Sequence, residues 1–298
     1  MSATLSAESI IEKLMAAKKL EDVMDINHFK SEYESMLKLI HPDICKLKNA
    51  TEATSKLNEL RDKFKHGTKY IDDSGEFTSN GYEVNYSGDS EDSKRLYETS
   101  CKNFNTLISI KDKTIDHFRK YMPHEMAVTD GKLNVKFAYR AVPLSDLTLP
   151  QEHVNWILSR MLEYSAWLSQ MGYVHCGINP ESIFIIPETH GIMVTSFYHL
   201  TKKGDKAKTI SGKYQSWYPP SLFSAKKATS DIDLELSKKT AIYLLGDKSG
   251  AGIKLRKTHN EKFLDFVIKH EADAYKAFTD YREFLSKNFE KKFHILNL

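Results

Sequence analysis

Leu39-Ile40-His41-Pro42-Asp43-Ile44 is the stretch that decides how the first part of this chain folds. Upstream of it Phe29, Tyr33, Met36, Leu37 and Ile40 recur at three- and four-residue spacings, and downstream Ala53, Leu57, Leu60 and Phe64 do the same. Each set forms one apolar stripe on a helix, and two such stripes can pack on each other. Pro42 disfavours helical geometry at His41 and fixes its own φ, so residues 41–49 are expected to reverse the chain. The imidazole of His41 and the carboxylate of Asp43 are then displayed at an exposed tip. From Ser6 to Phe64 the helical pattern is interrupted by no glycine and by no proline other than Pro42, which predicts a compact all-α unit over residues 1–66.

Beyond Phe64 the composition shifts. Gly, Ser, Asn, Asp and Thr dominate residues 66–92 around short alternating runs such as Tyr82-Glu83-Val84-Asn85-Tyr86, so a boundary is expected near Gly67, followed by hairpins. Residues 91–120 carry a helical period through Leu96, Phe104, Leu107 and Ile115. Residues 126–142 alternate, with Asp130-Gly131 placed as a hairpin turn. Residues 67–150 therefore read as a linker and a small α+β region. The remainder, 151–298, reads as mainly helical. A helix runs from Gln151 to Met171 with Val154, Ile157, Leu158, Met161, Leu162 and Leu168 on one side, and Gly172 suits its C-terminus. Strands are expected at 182–186 and 191–196, and helices at 231–245 and 261–293. The fold class is α+β.

Composition narrows the function classes. Among 298 residues, 43 Lys and Arg face 40 Asp and Glu, a balance too even for a nucleic-acid footprint. Lys202-Lys203 with Lys206 and Lys208, and Lys291-Lys292, are short and mixed with acids and aromatics, as on a solvated face. Cys45, Cys101 and Cys176 lie far apart without CxxC spacing, which favours a reducing cytoplasm over a disulfide scaffold or a thiolate zinc site. The twelve histidines show no zinc-ligand spacing, so no metal is expected. No signal peptide is expected from residues 1–19, and no apolar run approaches a membrane span.

The helix, the His41-Pro42-Asp43 tripeptide and the second helix, with Tyr33 eight residues upstream of His41, resemble a J domain of the DnaJ/Hsp40 family. The resemblance covers about the first 66 residues. It implies that the loop docks on the ATPase region of an Hsp70 (DnaK-type) chaperone and stimulates ATP hydrolysis. His41, Pro42 and Asp43 would act as a contact and trigger element, with Lys30 and Lys38 adding attraction. One departure stands out: J-domain helices before the tripeptide are usually clearly basic, whereas here Glu32 and Glu34 interleave with the lysines.

A second resemblance covers about residues 70–298. Val174-His175-Cys176-Gly177-Ile178-Asn179-Pro180-Glu181-Ser182-Ile183-Phe184-Ile185, followed by Val194-Thr195-Ser196-Phe197-Tyr198, is similar to the catalytic-loop and metal-loop region of protein kinases. Ser216-Trp217-Tyr218-Pro219-Pro220 is similar to the end of an activation segment, and Ser230-Asp231-Ile232 opens a helix. It implies a two-lobed kinase-like domain whose chemistry is degenerate. Gly177 stands where kinases carry the catalytic Asp, Ser182 where they carry the metal-binding Asn, and Ser196 where they carry the Asp of the metal loop. Gly75 and Gly81 lack the glycine-loop spacing, and Tyr82 to Tyr86 offers no phosphate-binding lysine. Neither glycine nor serine replaces a carboxylate that carries charge and binds a divalent ion. His175 and Asn179 then read as loop architecture, with His175 a buried hydrogen-bonding residue, and Asp231 as the carboxylate that anchors the loop.

The expected function is that of a J-domain co-chaperone or adaptor, with no catalysis by this chain and no cofactor. An inactive kinase-like domain would bind a client or partner protein. Two alternatives stay open: a divergent kinase-like nucleotide-binding enzyme using Asp205, Asp231 or Asp233, and a structural protein whose hairpin has lost Hsp70 binding.

Overall fold

The computed structural model describes residues 6–145, 147–296 and 298; Met1–Leu5 of the expected first unit lie outside the described residues. It is a mixed helix-and-sheet chain that divides into two compact units. Among the described residues, one comprises 6–69 with 78–80 and 298, the other 70–77, 81–145 and 147–296.

The first unit is built from α1 (Ala7–Ala16), α2 (Phe29–Ile40) and α3 (Ala50–His66). Ser6 caps α1 by accepting from the Ser9 amide. Ile10, Leu14, Leu20, Met36, Ile40, Ala53, Leu57 and Leu60 form the core, with Phe29, Tyr33, Leu37 and Phe64 packed on it. The members from α2 and α3 are the two stripes read from the sequence, and Ile10, Leu14 and Leu20 add to them from α1 and the segment after it. Burying each large aliphatic side chain contributes about 1.5–3 kcal/mol, and together they hold three short helices that would not persist alone. Polar ties set the hairpin's register. The Tyr33 hydroxyl donates to Asn58 Oδ1 at 2.6 Å and accepts from Arg61 at 2.6 Å, and Thr54 Oγ1 donates to the Ile40 carbonyl at 3.1 Å. Gly67 closes α3 at φ +73°, where a Cβ would stand 2.6 Å from the Ser79 backbone, so only glycine fits.

A five-stranded sheet, most of whose residues belong to the second unit, runs in the order β1-β2-β3-β5-β4, from β1 (Thr68–Asp72), β2 (Gly75–Ser79), β3 (Glu83–Tyr86), β4 (Glu125–Thr129) and β5 (Lys132–Lys136). The β4–β5 hairpin turns at Asp130 and Gly131, both with positive φ, as the Asp-Gly pair predicts. β3 pairs antiparallel with β5, setting Val84 opposite Val135 and Tyr86 opposite Leu133. The helix α4 (Glu91–Ile108), capped by Ser90, packs on β4 and β5. Next come the short α5 (Ile115–Phe118) and β6 (Val142–Pro143).

The long helix α6 (Gln151–Gln170) follows. The stripe predicted for it is buried, and so are His153, Asn155, Tyr164, Ser165 and Trp167, because α8 (Ser230–Leu244) and α10 (Ala274–Asn288) both pack on it. One apolar side was expected, whereas the helix is covered on several sides. Gly172 ends this segment at φ +81°. β7 (Tyr173–Val174) pairs with β10 (Thr201–Lys202), and β8 (Ile183–Ile186) lies between β6 and β9 (Gly191–Val194). The remaining helices are α7 (Pro220–Ala225) and α9 (Glu261–Ile268).

The single helix expected over 261–293 is instead two, α9 and α10, with no helix beyond Asn288 among the described residues. The break has local causes. Asp273 accepts from the Lys276 amide as the cap of α10, and Glu271 accepts from the amides of Ala272 and Asp273. The buried ammonium of Lys238 donates to the Lys269 carbonyl at 2.5 Å, a cation placed at the C-terminal end of α9. Among the described residues no helix is long and apolar enough to cross a membrane.

Candidate functional site

Two places bring the sequence's candidate residues together, one in each unit. In the first unit, α2 ends at Ile40, and His41 takes φ −58° and ψ 133°, the extended geometry that a following proline imposes. The His41 amide donates to the Leu37 carbonyl, and the amides of Ile44 and Cys45 both donate to the His41 carbonyl, at 2.9 and 2.8 Å. This is a tight turn held by the backbone. His41 Nδ1 lies 3.3 Å from the Asp43 amide and 3.4 Å from Asp43 Oδ2. The ring therefore has a partner whether Nδ1 accepts or donates, and the tripeptide is preorganised in either tautomer. The side chains are 42% exposed at His41 and 87% at Asp43, so the pair remains open to a partner.

Lys30 and Lys38 are exposed on α2. Of the two interleaved acids, Glu32 is engaged inside the unit, accepting from the Asp25 amide at 2.9 Å. Glu34 is exposed, four residues from each lysine.

The second place is the loop over 175–182. His175 is fully buried, and its Nε2 is 2.9 Å from the Thr195 carbonyl. Burial, with His199 nearby, pushes its pKa down to about 3, so the ring is neutral at physiological pH and donates from Nε2. It ties the loop to the end of β9. A ring with that pKa is a weak proton acceptor, and its Nε2 is already engaged by the Thr195 carbonyl.

The loop's anchor is Asp233, not Asp231. The Asp233 carboxylate accepts from the amides of His175 at 2.7 Å and Cys176 at 2.8 Å. Asp231, expected in that role, accepts from the Ser221 hydroxyl at 2.8 Å. Both carboxylates open α8, and their two-residue separation, about 200° of rotation about the helix axis, decides which reaches the loop. Burial raises the Asp233 pKa to about 7 against the lowering effect of its two amide donors.

Gly177 has a steric explanation. A Cβ there would lie 2.2 Å from His199 Cδ2 and 2.6 Å from Cγ, so the His199 ring fills the space in which any side chain at 177 would begin. Asn179 builds the turn: its Oδ1 accepts from the amides of Glu181 and Ser182, and its Nδ2 donates to the Gly177 carbonyl. The Ser182 hydroxyl is used the same way, accepting from the Asn179 amide at 2.9 Å. Ser196 sits at φ +56° and donates to Asp72 Oδ2 at 3.3 Å.

Asp72 ends β1 and Asp73 opens the turn to β2, and neither carries a local signal of this role. Asp72 accepts from Tyr198, from Ser196 and from the amide and hydroxyl of Ser74, and burial raises its pKa. Asp73 accepts from the Gly212 amide at 2.8 Å and stands 3.7 Å from His199 Nε2. Burial would raise its pKa, but contacts from His199, Ser211 and Gly212 outweigh that and lower it. His199 Nδ1 is 3.0 Å from Thr209 Oγ1. Two carboxylates thus stand beside Ser196, Tyr198 and His199, the residues that follow β9. The Cys176 thiol is buried, which pushes its pKa well above the ordinary range.

No family model matches the sequence, and no curated protein matches it. Among solved structures, that of vaccinia related kinase 3 aligns with 74% of this chain and 91% of that one, at 13% identity and a TM-score of 0.41. At that level nothing about activity passes from that kinase to this chain.

Proposed function

We propose that this chain is a J-domain-type co-chaperone or adaptor that engages an Hsp70-type chaperone through His41-Pro42-Asp43 and uses its second unit, kinase-like in the order of its motifs, to hold a client or partner protein without catalysis. The observation that carries the reading is the tripeptide itself: an imidazole and a carboxylate, both open to solvent, held by a backbone-bonded turn between two packed helices. A rigid loop loses little conformational freedom on binding, which suits a contact and trigger element. In the second unit the support is chemical. Gly177, Ser182 and Ser196 supply no metal-binding carboxylate, and the polar groups of Asn179, Ser182 and Asp233 are used to hold the loop.

The test is the steady-state ATPase of a purified Hsp70-type chaperone with the intact protein added. Stimulation by the parent chain, and its loss in His41→Gln, is the expected result. Equal stimulation by both would overturn the role given to the tripeptide. Radiolabelled ATP and magnesium with the intact protein, alone or with a general acceptor protein such as casein, should show no phosphotransfer, and transfer that depends on magnesium would overturn the non-catalytic reading.

A further inference from the structure

The first unit concentrates its apolar exposure at one end. Its most exposed large apolar side chains among the described residues are Ile44 at 69%, Leu39 at 45%, Met15 at 43% and Leu47 at 38%, and three of these four lie within six residues of His41. Ile44 directly follows the tripeptide. Its amide is bonded to the His41 carbonyl, so its position relative to His41 is fixed by the same turn. The turn needs no isoleucine there: its hydrogen bonds are made by backbone amides, which a serine or lysine would supply equally. An apolar side chain left in water at a preorganised tip is the signature of a contact made with another molecule.

Charge is distributed in the same sense. Residues 29–37 hold one lysine, Lys30, against Glu32 and Glu34, so this part of α2 offers little long-range attraction to an acidic partner. Residues 38–48 hold Lys38, Lys46 and Lys48 against Asp43 alone, and all three lysines are exposed. Lys46 also donates to the Pro42 carbonyl at 3.2 Å, which keeps its ammonium beside the tripeptide. The net positive charge therefore sits on Lys38 in the last turn of α2 and on Lys46 and Lys48 of the turn that follows, while residues 29–37 carry more acids than lysines.

We infer that the partner meets this tip through an apolar contact centred on Ile44, with Leu39 and Leu47 beside it, ringed by acidic groups that face Lys46 and Lys48. The inference rests on the co-chaperone reading and names the chemistry of the surface that reading requires: the chaperone's docking face for this chain is apolar at its centre and acidic at its rim. Binding then depends on apolar burial more than on steering by a basic helix, and its salt dependence is shallow because only two or three exposed charges contribute.

The experiment titrates a purified Hsp70-type chaperone against the immobilised intact chain at about 50 and about 300 mM KCl, concentrations chosen to change screening severalfold. Ile44→Ser should weaken binding about tenfold at both salts, as loss of one buried aliphatic contact predicts. Lys46→Gln with Lys48→Gln should weaken it only at low salt and flatten the salt dependence, and Lys30→Gln should change it less than about twofold. Thermal melts of each variant matching the parent show that the hairpin is intact. If Ile44→Ser binds like the parent while His41→Gln does not bind, the apolar contact is overturned and the co-chaperone reading stands. If the parent does not bind, or His41→Gln binds unchanged, the reading fails and the inference fails with it.

Discussion

His41 follows the helix α2 and His175 the short strand β7, each at the head of a loop, yet the two loops treat their polar groups in opposite ways. At the tip of the first unit the backbone holds the turn and the side chains of His41 and Asp43 remain open to solvent. In the second unit the side chains hold the turn. Asn179, Ser182 and Asp233 each bond the loop's own backbone, while His175 bonds the Thr195 carbonyl and lies fully inside. Residue types associated with chemistry are thus displayed in one place and consumed in the other. The lesson is that a histidine beside a proline or a carboxylate is judged by where its hydrogen bonds go.

That contrast predicts unequal costs of substitution. The largest is expected at Gly177→Asp, which drives a side chain into the His199 ring and should cost about 3 kcal/mol or more in urea unfolding. The variant should gain no kinase activity. Adding His199→Ala should recover part of the loss, because the two positions share one volume, whereas additive effects would contradict the steric explanation. In the first unit Leu57→Ala, at the centre of the hairpin core, should cost about 2–4 kcal/mol by the same measurement.

Asp233→Asn comes next. An amide replaces a carboxylate that accepts from two backbone amides, leaving one donor facing another, at a cost of about 1–3 kcal/mol. This variant also has a pH signature. The His175 pKa is depressed from 6.5 to about 3, so the folded state binds fewer protons than the unfolded state across that window, and stability rises with pH. The Asp233 pKa is raised from 3.8 to about 7, so the folded state retains a proton the unfolded chain has lost, and stability falls with pH over that range. The two oppose each other in the parent. Without the Asp233 carboxyl the slope of stability against pH between about 4 and 6.5 should become more positive than the parent's, by at most about 1.4 kcal/mol per unit. An unchanged slope would show that Asp233 does not titrate in that range.

The smallest effects on stability belong to the tip. His41→Gln and Asp43→Asn should each shift unfolding by less than about 0.5 kcal/mol, since the backbone turn does not depend on them. A loss above about 2 kcal/mol at either position would mean that these side chains hold structure, as those of the second loop do.

Much of the fold was legible in the sequence because it is set by local periodicity. The stripes of α2 and α3, the reversal at Pro42, the Asp130-Gly131 turn and the glycine at 172 all follow from rules that act over a few residues. The single helix expected over 261–293 failed on competing local signals, because Asp273 acts as a cap inside an apolar period that continues past it. The second loop was legible only in outline. Its missing carboxylates could be read off, but the anchor was assigned to Asp231 when two residues further along the helix Asp233 makes the bonds.

The sequence alone determined that His41 and Asp43 flank a proline between two packable helices, and that Gly177 and Ser196 bring no carboxylate. Tertiary structure decided what occupies the space those residues leave. Asp72 reaches Ser196 and Tyr198 across more than 120 residues of chain, and the His199 ring closes the volume above Gly177. The physical reason is range: helix and turn preferences act between neighbours in the chain, whereas burial and steric exclusion act between whatever neighbours the folded core brings together.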